Sequence, residues 1–226
     1  VLARSFVIFL MVVCATVVQA SIVTVAVPGT ASPWLAGMPN GSTCCLVDSA
    51  PAQSPVLVPV TLIPGTVLTF SSVGTTKHGP ALPLVDADGR PGMFTSKIGG
   101  AENGIADATA QLSSLMGVFL DANQPDLSPA PGGLNFSGAG GMDFLSLSPL
   151  LKQPFFIGNG LTAGAAVQEF VIPAGATRLF LGTMDGFEWN NNGGSLEVTI
   201  SSVPEPSTLL LFGAGLVAVS FVRKRR

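Results

Sequence analysis

The sequence predicts an all-β protein: an antiparallel β-sandwich of jelly-roll-like topology, with an N-terminal signal helix and a C-terminal transmembrane helix at its ends. Three observations predict it. Runs of about four to eight β-favouring residues recur between clusters of Gly, Pro, Asn and Ser. The 27 Gly and 18 Pro interrupt helices throughout the chain. Between the two ends there is no long amphipathic helix and no alternation of strand and helix that would signal a parallel sheet.

Residues 1–20 read as a secretory signal peptide. Arg4 supplies the positive start, Phe6 to Val18 the apolar run, and Val18-Gln19-Ala20 the small-residue cleavage site. Residues 21–54 read as an N-terminal extension. They hold Cys44 and Cys45, whose adjacency suits a ring disulfide, a pairing between chains, or two small loop residues.

Residues 55–202 read as the β-sandwich domain. Thr66 to Val73 turns Leu68 and Phe70 to one face, and Leu196, Val198 and Ile200 alternate with Glu197, Thr199 and Ser201. Leu115 to Leu120, Val167 to Ile172 and Arg178 to Leu181 are further strands, the last two parted by the turn Pro173-Ala174-Gly175. Glu102 to Met116 has the length of a helix, but Gly104 and several Thr and Ser weaken it. Asn123 to Gly141, rich in Pro and Gly, reads as a long surface loop.

Composition excludes some functions. Hydrophobic residues make up 47% and charged residues 10%, so the chain is not a disordered polyelectrolyte. Between Ser21 and Val203 twelve acids face five bases, a net charge of −7 that argues against nucleic acid as a partner.

The last 24 residues fall into three parts: Val203-Pro204-Glu205-Pro206, the apolar stretch Ser207 to Val222, and the basic end Arg223-Lys224-Arg225-Arg226. As a helix the stretch spans about 24 Å, short for a bilayer but workable when the basic end snorkels. The bases belong on the cytoplasmic side. This tail resembles the PEP-CTERM sorting signal of Gram-negative bacteria. The resemblance implies an exosortase as partner and a transient inner-membrane anchor. It also implies export to the cell envelope or extracellular matrix, and an association with exopolysaccharide or biofilm.

No enzyme is expected. His78 is the single histidine, and neither a G-x-S-x-G elbow nor a phosphate-binding glycine loop is present. Scattered Asp and Glu leave a polysaccharide-processing enzyme as one alternative. A purely structural matrix protein is the other. Asp86-Ala87-Asp88-Gly89 fails the EF-hand template, which needs Asp and Glu where Leu84 and Thr95 stand, so it reads as an acidic turn.

The informative segment runs from Leu179 through Asp185, Gly186-Phe187-Glu188-Trp189 and Asn190-Asn191-Asn192-Gly193-Gly194 into the strand at Leu196. Asp185, Asn191 and Asn192 offer the hard oxygen donors that Ca²⁺ takes in numbers of about six to eight. Trp189 offers a ring for an apolar sugar face. The competing reading is a plain Asn-Gly turn capped by Asp185.

Phe180 to Ile200 resembles the C-terminal part of the bacterial calcium-dependent galactophilic lectins, whose fold is a galactose-binding-like β-sandwich. Pro64 to Phe70 with Gly74, His78-Gly79-Pro80 and Leu115-Met116-Gly117 extend the likeness. The resemblance implies calcium and sugar hydroxyls held by Asp185, Asn191 and Asn192, with a main-chain carbonyl from His78. The Asp-to-Asn spacing is one residue shorter than in those lectins, which brings in Glu188 or Trp189 as the second carbonyl donor. The expectation is an exported protein whose metal residues are Asp185, Asn191, Asn192, His78 and Glu188. Its carbohydrate residues are Asp185, Trp189, Asn191 and Asn192.

Overall fold

A computed structural model describes residues 21–203. The expected signal peptide, and the tail from residue 204 with its apolar stretch, lie outside the described residues. Among the described residues no helix is long and apolar enough to cross a membrane.

The chain is all-β. β1 (Ile22–Pro28), β2 (Thr43–Cys44), β3 (Asp48–Ser49) and β4 (Val56–Leu57) come first. β5 (Val67–Lys77), β6 (Phe94–Ser96), β7 (Ala108–Gln111), β8 (Leu115–Leu120) and β9 (Leu134–Asn135) follow. β10 (Ser146–Leu147), β11 (Phe155–Phe156), β12 (Glu169–Val171), β13 (Arg178–Thr183) and β14 (Gly193–Val203) complete the series.

One sheet has the order β1-β14-β5-β12-β10 and a second the order β11-β8-β13-β4. β6, β7 and β9 form a smaller sheet, and β2 pairs with β3. Residues 21–54 belong to the same compact unit as the rest, because β1 pairs with β14 along its whole length.

Alternation makes the first sheet. Leu68 and Phe70 of β5, Leu196, Val198 and Ile200 of β14, and Val27 of β1 are buried on one face. Ser71, Val73, Thr75, Ser195 and Glu197 stand exposed on the other. β8 has all six residues buried, as a strand covered on both faces requires. Gly117 within it has no room for a side chain, because a Cβ there would lie 2.6 Å from the Phe155 ring.

An aromatic seam joins the two larger sheets. Phe70 meets Phe170 edge-on at 5.0 Å, Phe170 meets Phe155 at 5.5 Å, and Phe155 stacks on Phe119 at 5.2 Å. Each such pair contributes about 0.5–1.5 kcal/mol beyond burial. The run passes from β5 and β12 in one sheet to β11 and β8 in the other, so the sheets share one core.

Two pairings depart from a wholly antiparallel sandwich: β10 lies parallel to β12, and β7 parallel to β9. β9 and β10 both belong to the long segment between Asp121 and Ile157, which leaves the core strands and returns along their edges. Lys152 pins that segment, its Nζ donating to the carbonyls of Ser128 and Pro129 at 2.9 and 2.6 Å. The stretch Glu102 to Met116 forms β7 and the start of β8 rather than a helix. Asp86–Gly89 is a turn, with Asp88 accepting from the backbone and side-chain nitrogens of Asn159 at 2.8 and 2.9 Å.

Close approach of backbone to backbone gives a test of the packing. Gly160 has φ +82°, and a Cβ on it would fall 1.9 Å from the Phe70 carbonyl oxygen. Gly160→Ala should lower the unfolding free energy by about 3 kcal/mol in urea titration. Gly132, with nothing within 4 Å, should tolerate Ala within about 0.5 kcal/mol.

Candidate functional site

β13 carries the chain up to Met184 and Asp185, which are buried. Gly186 and Phe187 turn it, and Glu188 takes the left-handed conformation, φ 60°. A short 3-10 turn, Trp189–Asn191, then leads into β14. Asp48 on β3 holds this turn. Its Oδ2 accepts the Trp189 N–H at 2.9 Å and its Oδ1 the Asn190 N–H at 2.8 Å, so one carboxylate satisfies two amides at the start of the turn.

Asp185 is the centre of the cluster and only 1% exposed. Its Oδ2 accepts from His78 Nδ1 and from Asn192 Nδ2, both at 2.8 Å. Its Oδ1 accepts the backbone N–H groups of Gly186 and Phe187. Asn192 Oδ1 in turn accepts the Gly79 N–H at 3.1 Å. The ends of β5, β13 and β14 are thus tied to one buried carboxylate.

Of the residues predicted from sequence, the structure brings Asp185, Asn192 and His78 together. His78 joins through its ring, whereas the lectin resemblance pointed to its carbonyl. Asn191 turns to Glu188 instead, donating through Nδ2 to Oε2 at 3.3 Å. Trp189 cannot stack on a sugar. It is fully buried, donates its Nε1–H to the Thr183 carbonyl at 2.8 Å, and packs on Trp34 at 5.3 Å between ring centroids.

The calcium expectation meets an unsuitable donor set. Four N–H groups already point at the Asp185 oxygens, and the oxygen of Asn192 faces a backbone amide. A hard cation needs acceptors converging on it, not donors.

Asp48 was missed in the sequence, where it sits in the presumed extension. The one available signal was its place in a β-favouring stretch beside the cysteines. Those cysteines are bonded to each other, so the ring form holds. Asp48, Cys44 and Cys45 lie close together and buried. Burial pushes the Asp48 carboxyl above its ordinary value, the amides of Trp189 and Asn190 pull it partly back, and the charges of Asp185 and Glu188 add to the rise.

Residues 202–226 match the PEP-CTERM protein-sorting motif. The motif marks an exported, envelope-associated chain that an exosortase processes. A comparison with curated proteins returned no match.

Two outcomes test the cluster. Asp185→Ala strands several donors in a buried place and should destabilise the fold by about 2–4 kcal/mol in denaturant unfolding. The Asp48 carboxyl, followed by ¹³C NMR titration, should show a midpoint above 3.8. Its folded form binds the proton more tightly than the unfolded one. Its contribution to stability is therefore complete below pH 3.8 and lost as the pH rises through that midpoint. A midpoint at or below 3.8 would contradict the burial.

Proposed function

We propose that this exosortase cargo is a non-enzymatic binding protein of the extracellular matrix. Its sandwich, of galactose-binding-like type, would present the His78–Asp185–Asn192 rim to exopolysaccharide outside a Gram-negative cell. The observation that carries the reading is the joining of Asp185 to both His78 and Asn192. These are three of the positions on which the lectin resemblance rests, gathered from distant parts of the chain to one end of the sheets.

The chemistry suits hydroxyl groups. His78 is 28% exposed in its side chain, and its ring has a second nitrogen beyond the one bound to Asp185. Asn191 lies near the adjoining Gly79 and is bonded to Glu188, adding an amide and a carboxylate. Neutral sugar hydroxyls both donate and accept, so they match such a mixed set without requiring charge on the ligand. The proposed rim works without metal, because the donors around Asp185 hold the place a cation would take. The sorting tail supports anchoring in the inner membrane before processing.

A second reading has its own support. The Asp185 network is internally satisfied and closes the end of the sandwich, which a purely structural matrix protein would also need. The full chain, purified in a non-glycosidic detergent and applied to a glycan array, decides between them. The binding reading expects retention of at least one polysaccharide fragment, weakened about tenfold or more by His78→Ala. Its melting temperature should not move between chelator and millimolar Ca²⁺, since only a ligand of the native state raises stability. An array silent with and without calcium favours the structural reading.

A further inference from the structure

We propose that a groove on the hairpin side of the same loop is a subsite for a single neutral pyranose ring. This deepens the carbohydrate reading and rests on it. The groove has a volume of 310 Å³, at the lower bound of about 300 Å³ for small-ligand sites and sufficient for one ring. Cys45, Leu46, Lys97, Ile98, Glu102 and Phe187 line it. Phe187 is two residues beyond Asp185, so one loop serves both places.

Its walls mix apolar and polar side chains, and the apolar ones stand well exposed. Leu46 is 73% exposed and Ile98 57% exposed, and Phe187 is half-buried beside them. Cys45, in its ring disulfide with Cys44, is buried behind this rim. Exposed apolar side chains gathered around a concavity mark a place for a partner. Phe187 brings an aromatic ring to the groove wall, which Trp189, buried elsewhere, cannot.

The polar groups are paired. Lys97 Nζ lies 2.6 Å from Glu102 Oε2 and donates also to the Ile98 carbonyl at 2.9 Å. Glu102 Oε2 accepts the Cys45 N–H at 3.2 Å as well. The Lys97 ammonium is buried, its side chain 2% exposed, whereas Glu102 is 35% exposed and keeps a second oxygen that takes part in none of the described hydrogen bonds. That oxygen accepts from a sugar hydroxyl, while the buried ammonium behind it balances the carboxylate charge. An anion would meet Glu102, and the Lys97 charge already neutralises that carboxylate, so the groove suits a neutral polyhydroxylated ligand.

The backbone around the groove is held in costly conformations. Cys45, Leu46 and Glu188 all have positive φ, at 59°, 77° and 60°. The Glu188 N–H donates to the Cys45 carbonyl at 3.3 Å, which ties the hairpin tip to the loop. Three strained non-glycine residues at one spot persist only where the surroundings over-determine them, and such spots gather at ligand clamps.

Saturation-transfer NMR on the full chain in a non-glycosidic detergent tests this. D-glucose, D-galactose and N-acetyl-D-glucosamine serve as probes at millimolar concentration. At least one should receive saturation from the wild-type protein. Phe187→Ala and Ile98→Arg should each reduce the transfer by about fivefold or more, and His78→Ala should leave it in place. Emission from the Trp34–Trp189 pair reports whether each variant keeps its fold. If Phe187→Ala disturbs it, Ile98→Arg decides, because that side chain is exposed and blocks the groove from outside. No transfer to any of the three sugars, or transfer undiminished in the folded groove variants, overturns the proposal. Array binding that falls in His78→Ala but not in the groove variants leaves the rim reading standing and removes the groove. The reverse pattern removes the rim and keeps the groove.

Discussion

The register of β14 on β5 is the constraint on which the rest depends. Lys77 pairs with Gly193 and Val67 with Val203, with every residue between them matched. Side chains alternate along a strand, so a slip of one residue would turn Leu68, Phe70, Leu196, Val198 and Ile200 out of the core together. Burial of those side chains therefore fixes the pairing, and the pairing fixes what lies just past it. His78 follows Lys77 and Asn192 precedes Gly193, so the two residues that reach Asp185 are brought opposite each other by the ladder. The cluster is a product of the core and not of local loop preference.

How much of this was legible in the sequence follows from which forces are local. The alternation of Leu196, Val198 and Ile200, and the unbroken apolar run Leu115–Leu120, announced their strands because burial acts on every second residue or on all of them. Asp185 and Asn192 stood out by chemical type next to a strand end. Trp189 misled, because Asn and Gly around it look like an exposed turn. What buries it is Trp34 and the carboxylate of Asp48, both far away in sequence. The same holds for β1, whose place beside β14 no local pattern reveals, and for β9 and β10, whose parallel pairings depend on the return path of a long segment. Adjacency left three states for Cys44 and Cys45, and only the folded structure shows the ring.

Electrostatics shapes the same end of the molecule. Asp48, Asp185 and Glu188 gather there in a domain already short of bases. Two of the three are kept by hydrogen bonds: backbone amides and side-chain nitrogens meet Asp185, and the amides of a 3-10 turn meet Asp48. Such satisfaction makes buried acidic groups tolerable. It also makes the arrangement rigid, since any one oxygen moved leaves a donor without a partner. The small sheet of β2 and β3 matters for this reason. It is short, yet it delivers the carboxylate that organises the turn before β14.

The position of β14 bears on what happens when the chain is trimmed. The strand's last ladder partner is Val203, matched to Val67, and Pro204-Glu205-Pro206 comes immediately after it. A cut in that tripeptide severs no rung among the described residues. Maturation and architecture are thereby uncoupled: exosortase processing beyond Val203 leaves the described ladder whole.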